Sequence, residues 1–344
     1  MRSRFSSIFG MQQFGLIIII VALGIVMSVF AGSHVDRVSG HMVNNFLNPS
    51  TLIQIATDTS FFAIMAVGMT MVIISAGIDL SVGSIYAMSA VLMSLVLQKM
   101  TGAPAVEQVL VGILLSCGIG LFSGLLNGIM VCRLGVHPFI ITLGTMWVFR
   151  GVAFVTTKAM SILVPESLTH FAKANLGLRR DLFPVPMVIM LIVTVVGALF
   201  LRYTTWGRRI FAVGGNIEAA KYSGLNINRI LTSVYLIAGL CASIAAFVGT
   251  SFYGSSSSGD AQGYELYVIA SAVVGGASLN GGKGSATGAM LGALLIVMIR
   301  QAIRTLNLDQ NYEWIIIGFA IVISVVLDRW NSTRAQRRLV HGRQ

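Results

Sequence analysis

Charged side chains are scarce in this sequence. Of its 344 residues 10% are charged and 56% are hydrophobic, whereas about 25% of the residues in an average soluble domain are charged. A chain with so few charges cannot form a water-soluble surface of normal size. The apolar runs extend from Phe14 to Leu327 with no long polar block between them. We therefore predict an all-α integral membrane protein with a single transmembrane domain over residues 1–344.

Motifs for covalent catalysis, metal binding and nucleotide binding are also missing. The three cysteines form no CxxC pair, the histidines form no HExxH pattern and there is no GxSxG elbow, so no catalytic residue and no metal site is predicted. The glycine-rich stretch around Lys283 departs from a phosphate-binding loop twice. Ala277 replaces its first Gly, and Gly284 replaces its Ser or Thr. We expect this chain to bind no cofactor, and no ATP of its own.

The excess of positive charge is placed as in a membrane protein. The net charge is +11, but most Lys and Arg residues lie in short stretches between apolar runs and at the two ends, which favours membrane topology and a lipid environment over a nucleic-acid partner. The basic residues between the sixth and seventh runs are Arg202, Arg208, Arg209, Lys221 and Arg229. Because cytoplasmic connections are enriched in Lys and Arg, we predict that both termini are cytoplasmic.

About ten transmembrane helices are predicted, since a span needs about 20 mainly apolar residues. Their approximate bounds are 14–31, 52–76, 80–97, 109–132, 139–156, 185–201, 230–250, 264–275, 285–299 and 314–327. The eighth and tenth are short. Two glycine-containing polar stretches, 77–84 and 275–285, interrupt the apolar pattern and resemble each other loosely. They indicate broken helices near a solute pathway and an internal repeat.

The polar residues within these runs have two interpretations each. Asp79 at membrane depth costs about 2.5 to 3.5 kcal/mol. The favoured interpretation is that it caps the helix beginning near Ser81. The alternative is that Asp79 and Ser81 line a hydrated route and hydrogen-bond a polyol, with Gly77 and Gly83 allowing close backbone approach. Asn127 and Thr142 either face such a pathway or form hydrogen bonds between helices.

A short helix is predicted in the connection at residues 202–229. Asn216 is a suitable N-cap, and Glu218 suits the first turn of the helix. Ala219 and Ala220 follow, and Gly224 or Asn226 can adopt the left-handed conformation that ends a helix. Its caps are equally compatible with an ordinary amphipathic surface helix. The basic residues around it favour a cytoplasmic segment that docks another protein.

The sequence resembles one known family over nearly its whole length: the membrane permeases of bacterial ABC importers for ribose and similar sugars. Each of the shared motifs is weak alone, but together their order and spacing are specific. In chain order they are Ala66 to Thr70 (AVGMT), Gly77 to Ser84 (GIDLSVGS), Leu126-Asn127-Gly128, Pro138 to Thr145 (PFIITLGT), Gly214-Gly215-Asn216 with Glu218-Ala219-Ala220, and Tyr264-Glu265-Leu266 with Val274 to Gly282 (VGGASLNGG).

This resemblance implies an inner-membrane permease that pairs with a second copy or a paralogue. It also implies a cytoplasmic subunit that hydrolyses ATP and a periplasmic binding protein that delivers the sugar. Residues Glu218 to Gly224 resemble the coupling helix that inserts into the ATPase. The Ile-x-Leu-Pro ending of the longer importer signature is absent after Gly224, so the likeness is to the sugar branch.

The resemblance leaves the sugar unnamed, and two other functions compete with it. An ion-coupled secondary transporter also uses broken helices, but only Asp58 and Asp79 are convincing acids within the spans. A membrane enzyme lacks a catalytic constellation. We also expect Arg37 and Asp260 to lie in external loops, within reach of a binding protein, as weak rim contacts.

Overall fold

The computed structural model describes residues 11–35, 40–175 and 183–320, with 322, 323 and 326. Arg37 and the basic tail lie outside the described residues. The α-helices are α1 (Met11–Phe30), α2 (Pro49–Ile74), α3 (Val82–Leu97), α4 (Ala105–Leu134), α5 (Pro138–Thr157), α6 (Glu166–Ala172), α7 (Val185–Tyr203), α8 (Thr205–Gly215), α9 (Ile217–Tyr222), α10 (Ile227–Tyr253), α11 (Tyr264–Val274) and α12 (Ala286–Thr305). Residues 312–320 are also helical.

Strands contribute little to the described part of the chain. Strands β1 (Ser33–Val35) and β2 (Met42–Asn44) form one antiparallel pair, and β3 (Ile162–Leu163) and β4 (Ser255–Ser256) form another. Each pair joins loops at the ends of helices and contains no more than three residues per strand. The protein is therefore an all-α integral membrane protein, as predicted.

Eight helices of the described chain are long and apolar enough to cross a membrane: α1, α2, α3 with the 3-10 turn Gln98–Met100, α4, α5, α7, α10 and α12. Helix α11 has only 11 residues, about half of what a span requires. The last predicted span, 314–327, lies partly outside the described residues. The short helices α6 and α8 and the four strands were not predicted.

Helix α2 is the centre of the fold. Its most apolar part is 94% buried, and it packs against α7, α10, α11 and α12. Every residue from Phe61 to Ile74 is buried, because this stretch is apolar around its whole circumference and must therefore be enclosed by other helices. Helix α1, by contrast, is only 17% buried over its apolar window and packs on α12.

Helices α8 and α9 mark one side of the molecule, called here the α8/α9 side. Helix α2 ends on this side, because the carbonyl of Ile74 touches Gly214 at the end of α8. Helix α1 begins there, since the Gln13 side chain donates a 2.6 Å hydrogen bond to the Ser285 hydroxyl just before α12. Helix α10 begins next to α9 at Ile227 and ends on the opposite side at Tyr253.

Helix α11 begins in the interior. The ring of Tyr264, its first residue, packs 4.6 Å from the ring of Phe62, which is near the midpoint of the 26-residue α2. The chain between α10 and α11 therefore enters from the opposite side to about mid-depth before it becomes helical. We call residues 254–263 the re-entrant stretch. The predicted span at 264–275 is thus a half-helix, since 254–263 supplies the outer part of the crossing without forming a helix.

Candidate functional site

Asp79 lies in the connection between α2 and α3 and is fully buried. Its Oδ1 accepts hydrogen bonds from the backbone N–H of Ser81 at 2.9 Å and from the Ser81 hydroxyl at 2.6 Å. The N-cap of α3 is Ser81 itself, and its side chain makes no capping hydrogen bond. Asp79 thus closes a turn directly before the helix. It faces the positive end of the helix dipole without being the N-cap.

Three neighbouring helices hold this connection through polar side chains. Asn127 of α4 donates from Nδ2 to the Ser81 hydroxyl at 2.7 Å. The Tyr235 hydroxyl of α10 donates to the carbonyl of Ile78 at 3.3 Å. Thr142 of α5 donates to its own helix at Pro138, with Ile78 at the limit of hydrogen-bond distance, 3.5 Å. Asp79, Ser81 and Asn127 therefore form one buried network, and Thr142 borders it.

This network retains acceptor capacity. Oδ2 of Asp79 and Oδ1 of Asn127 are buried and have no hydrogen-bond partner among the described residues. Both interpretations of these residues keep support, because the hydrogen bonds between helices exist and the acceptors remain open. However, Asp79, Ser81, Asn127 and Thr142 are each 0% exposed. A solute reaches them only if the surrounding helices separate.

Gly83 faces a different part of the molecule. A Cβ at this position would lie 2.6 Å from the carbonyl oxygen of Ala261 and 2.6 Å from Oε2 of Glu265. The first turn of α3 therefore lies directly against the end of the re-entrant stretch and the beginning of α11. Backbone approaches Gly83 closely, but its partner is this second segment of the protein, and the place of Gly83 on a solute route stays a prediction.

Arg150 is a functional candidate that the sequence interpretation missed. It lies inside α5 and is only 8% exposed. Its Nη1 donates to the carbonyls of Ser258 at 2.9 Å and Asp260 at 2.6 Å, and its Nη2 donates to Ala261 at 3.3 Å. An arginine inside an apolar run is a signal for such a site, because charges at membrane depth are costly and are usually paired.

Asp260 belongs to the same arrangement and is not a rim residue. Its Oδ2 accepts the backbone N–H of Ser257 at 2.8 Å, and its carbonyl is held by Arg150. The expectation that Asp260 is a weak rim contact is therefore wrong in depth, because its side chain is half-buried and bonded within its own loop. That a binding protein can reach this loop stays a prediction. The connection bends inward, so that Asp260 lies close to the level of Gly83, whose neighbour is Ala261.

The second break, 275–285, meets the first on the α8/α9 side. The N–H of Gly282 donates to the carbonyl of Ile74 at 2.8 Å. A Cβ on Gly214 would lie 1.7 Å from that same carbonyl oxygen. The end of α8 thus touches both interruptions. Nearby, an open cavity of about 510 Å³ is lined by Ala76, Gly77, Ile78, His137, Phe139, Ile140 and Leu279.

Helix α9, with Gly224 just beyond its end, contains the residues predicted to couple the chain to another protein. Asn216 is its N-cap and accepts the N–H of Ala219 at 2.9 Å. Gly224 ends the segment with φ of 78°, the left-handed conformation predicted for it. The helix covers Ile217–Tyr222. Glu218 and Ala219 are exposed, whereas Ala220 is buried.

The five basic residues predicted on this side are also exposed: Arg202, Arg208, Arg209, Lys221 and Arg229. The α8/α9 side is therefore a cationic surface with a short, well-capped helix at its centre. Among the described residues no group of three or more His, Cys, Asp or Glu side chains is placed to hold a metal ion.

Comparison with known proteins identifies the family. Residues 51–325 match the family described as branched-chain amino acid transport system / permease component. The chain belongs to this permease family. The permease is therefore a transport subunit and not an enzyme.

Individual relatives of the permease act on sugars. It is 33% identical to the ribose import permease protein of Escherichia coli over 328 residues, covering 95% of this chain and 96% of that protein. It is 36% identical to the ribose import permease protein of Haemophilus influenzae over 296 residues, 85% of this chain and 90% of the relative. The fructose import permease protein of Rhizobium meliloti is 32% identical over 290 residues, 83% and 79% of the two chains. No solved structure matches the permease.

Proposed function

We propose that this permease forms the route by which an ATP-driven importer moves a monosaccharide or related polyol across the bacterial inner membrane. The observation that carries this proposal is the likeness, over most of both chains, to import permeases for ribose and fructose and to the permease of a D-allose transport system. The family description names branched-chain amino acids, but these relatives name sugars. Their names also favour a subunit of an importer over an ion-coupled secondary transporter.

The energy comes from a separate subunit that binds and hydrolyses ATP on the α8/α9 side. Glu218, Ala219, Ala220 and Gly224 lie in the segment that docks it, and the exposed Glu218 and Ala219 are available for contact. Gly214 precedes every residue of α9 by at most eight positions along the chain, and it touches the carbonyl of Ile74. Movement of α9 therefore has a short path to both helix breaks.

The proposed topology places the α8/α9 side and both termini in the cytoplasm, which agrees with the cationic character of that surface. A periplasmic sugar-binding protein docks on the opposite side, where α10 ends and β3 pairs with β4. Residues 1–344 act as one transmembrane domain surrounded by lipid. The largely exposed apolar helix α1 suits a position against the hydrocarbon.

The route lies between two permease chains, either two copies or this chain and a paralogue. One face of α5 exposes large apolar side chains: Phe139, Ile140, Trp147, Val148 and Val155. The open cavity near Ile78 lies at the α8/α9 end of this face, and Arg150 joins the re-entrant stretch to the same helix. A second chain against α5 would enclose both the cavity and the stretch.

Uptake in proteoliposomes tests this function. The permease is reconstituted with its ATPase and binding protein, and accumulation of radiolabelled ribose, fructose and allose is measured with ATP inside. We expect uptake of at least one sugar that requires both partners and hydrolysable ATP. An ionophore that collapses ion gradients should leave uptake unchanged. Uptake driven by an imposed ion gradient without ATP would instead establish the secondary transporter.

A further inference from the structure

The re-entrant stretch is non-helical polar backbone at mid-depth in a membrane protein. Such backbone is stable there only if protein encloses it or if it borders a water-filled cavity. One side of the stretch is enclosed, because Ser256 and Ser258 are each 1% exposed and the Ser256 hydroxyl bonds to that of Ser94 at 2.9 Å. The other side is accessible. Ser257 and Asp260 are partly exposed, and Gln262 is exposed.

Arg150 fixes which side is accessible. Its three hydrogen bonds take the carbonyls of residues 258, 260 and 261, so these backbone acceptors are satisfied from within the protein. Asp260 and Ser257 add internal bonds, from the Ser257 N–H to Asp260 and from the Gly259 N–H to the Ser257 hydroxyl. The stretch therefore has a defined shape. Holding it requires the charge of Arg150 to be buried, which costs free energy at membrane depth.

We propose that the accessible side chains of this stretch, those of Ser257, Asp260 and Gln262, contact the hydroxyl groups of the sugar during passage, and that Arg150 is the positioning residue that holds them toward the route. This inference rests on the proposed function. Sugar hydroxyls both donate and accept hydrogen bonds, and a serine hydroxyl, a carboxylate and an amide together offer both capacities. A few such groups at mid-depth bind a polyol weakly enough for it to leave again.

The alternative polar cluster is less suitable. Asp79, Ser81 and Asn127 are each 0% exposed and bond to one another. Glu265 is also unsuitable, because its Oε2 is buried against the backbone of Gly83. The accessible side of 257–262 offers polar groups to a solute without repacking of helices.

Neighbouring residues that face opposite ways provide the test. In the reconstituted transporter, Gln262→Leu and Ser257→Ala are compared with the control Ser256→Ala, whose side chain faces α3. For the two route variants, Gln262→Leu and Ser257→Ala, we expect uptake to fall by about ten-fold where the lost hydrogen bond to the sugar lies in a site without water. The fall is smaller where a water molecule replaces the lost side-chain group. ATP hydrolysis stimulated by the loaded binding protein should persist. The Ser256→Ala variant should transport within about two-fold of wild type, since it loses one neutral hydrogen bond.

A specificity measurement separates sugar contact from a structural role. We expect Gln262→Leu or Asp260→Asn to change the ratio of uptake between two transported sugars that differ in the configuration of one hydroxyl. A purely structural defect would lower both equally and leave that ratio unchanged, which would overturn the inference. Uptake rates and ratios equal to wild type in all route variants would overturn it as well.

Arg150→Lys and Arg150→Met test the positioning role. Lysine keeps the charge and can donate to some of the three carbonyls, so it should recover part of the uptake that methionine abolishes. A single cysteine at position 262, in a chain whose native cysteines are replaced, should react with an impermeant reagent at a different rate in Arg150→Met. An unchanged rate and wild-type uptake would contradict the positioning role. Absence of ATP-driven sugar uptake by the wild type would instead refute the proposed function.

Discussion

The backbone N–H of Gly282 donates a 2.8 Å hydrogen bond to the carbonyl of Ile74. This bond joins the end of the central helix α2 to the break between α11 and α12, two segments more than 200 residues apart. The same carbonyl oxygen packs against Gly214. The end of α8 is therefore wedged against both breaks, so that a displacement of α8 cannot leave either one undisturbed.

Gly214→Ala should disrupt this junction. A methyl group there would lie 1.7 Å from the Ile74 oxygen, whereas a methyl group on Gly215 would meet no atom within 4 Å. Overpacking of this kind typically costs about 1–3 kcal/mol. We expect Gly214→Ala to lose most ATP-driven uptake and Gly215→Ala to retain it. Uptake, ATP hydrolysis and the amount of protein in the membrane are measured for both.

A folding defect is distinguished from a coupling defect by the thermal unfolding of the purified variants. If Gly214→Ala is stable and hydrolyses ATP without uptake, the junction transmits the movement. If it reaches the membrane, is stable and transports as well as Gly215→Ala, the tight contact has no role in transport.

Asp79→Asn should be tolerated. The amide oxygen can accept the same two hydrogen bonds from Ser81 that Oδ1 of the carboxylate accepts. Asp79→Ala removes that acceptor and leaves a buried N–H unsatisfied, at a cost of about 1–3 kcal/mol. We expect a lower unfolding temperature and weaker assembly with the ATPase for alanine only. Normal assembly of Asp79→Asn with complete loss of uptake would show that the charge itself serves the route.

The helices were predictable because their signal is local. Long apolar runs indicated α2, α4 and α10 within a few residues, and Asn216 and Gly224 were recognisable as helix caps from their residue types. The junction of Gly214, Ile74 and Gly282 was not predictable, since no residue type specifies which distant carbonyl a glycine will touch. The glycines indicated that close contacts occur but not with which partner.

The re-entrant stretch was missed for a related reason. Four consecutive serines, Ser255 to Ser258, followed by Gly259 and Asp260, have the composition of a solvent-exposed loop. The residue that holds the stretch at depth is Arg150, which is more than 100 positions earlier in the chain. Only the pairing of these two segments in space makes a loop-like composition compatible with the membrane interior.

Labelling of single cysteines should establish the sidedness of the permease. Met160 lies beyond α5, opposite α8 and α9, and Tyr222 lies at the end of α9. Both side chains are largely exposed. In a chain without native cysteines, we expect a membrane-impermeant maleimide to label Met160→Cys in spheroplasts and Tyr222→Cys only after lysis. The reverse pattern would invert the proposed topology and place the ATPase on the wrong side of the chain.

Helix α9 should tolerate substitutions that preserve its caps and fail when they are lost. Gly224 has φ of 78° and meets no atom within 4 Å of an added Cβ, so the cost of substitution is conformational and not steric. Asparagine adopts this backbone conformation readily and valine does not. We expect Gly224→Asn to retain ATPase docking and uptake, and Gly224→Val to lose about 1 kcal/mol or more and to misdirect the exit of the helix.

Glu218→Lys tests the contact surface of the same helix. Glu218 is exposed in the first turn, where lysine would face the positive end of the helix dipole and reverse any pairing with a cation of the ATPase. Because the residue lies outside the membrane-spanning helices, the variant should reach the membrane at normal levels while co-purifying less ATPase and transporting little sugar. The control is Ser223→Ala, next to Gly224, which removes only an exposed hydroxyl bonded to its own helix at Ala219. Equal ATPase recovery and equal uptake for Glu218→Lys, Ser223→Ala and wild type would show that the ATPase docks elsewhere.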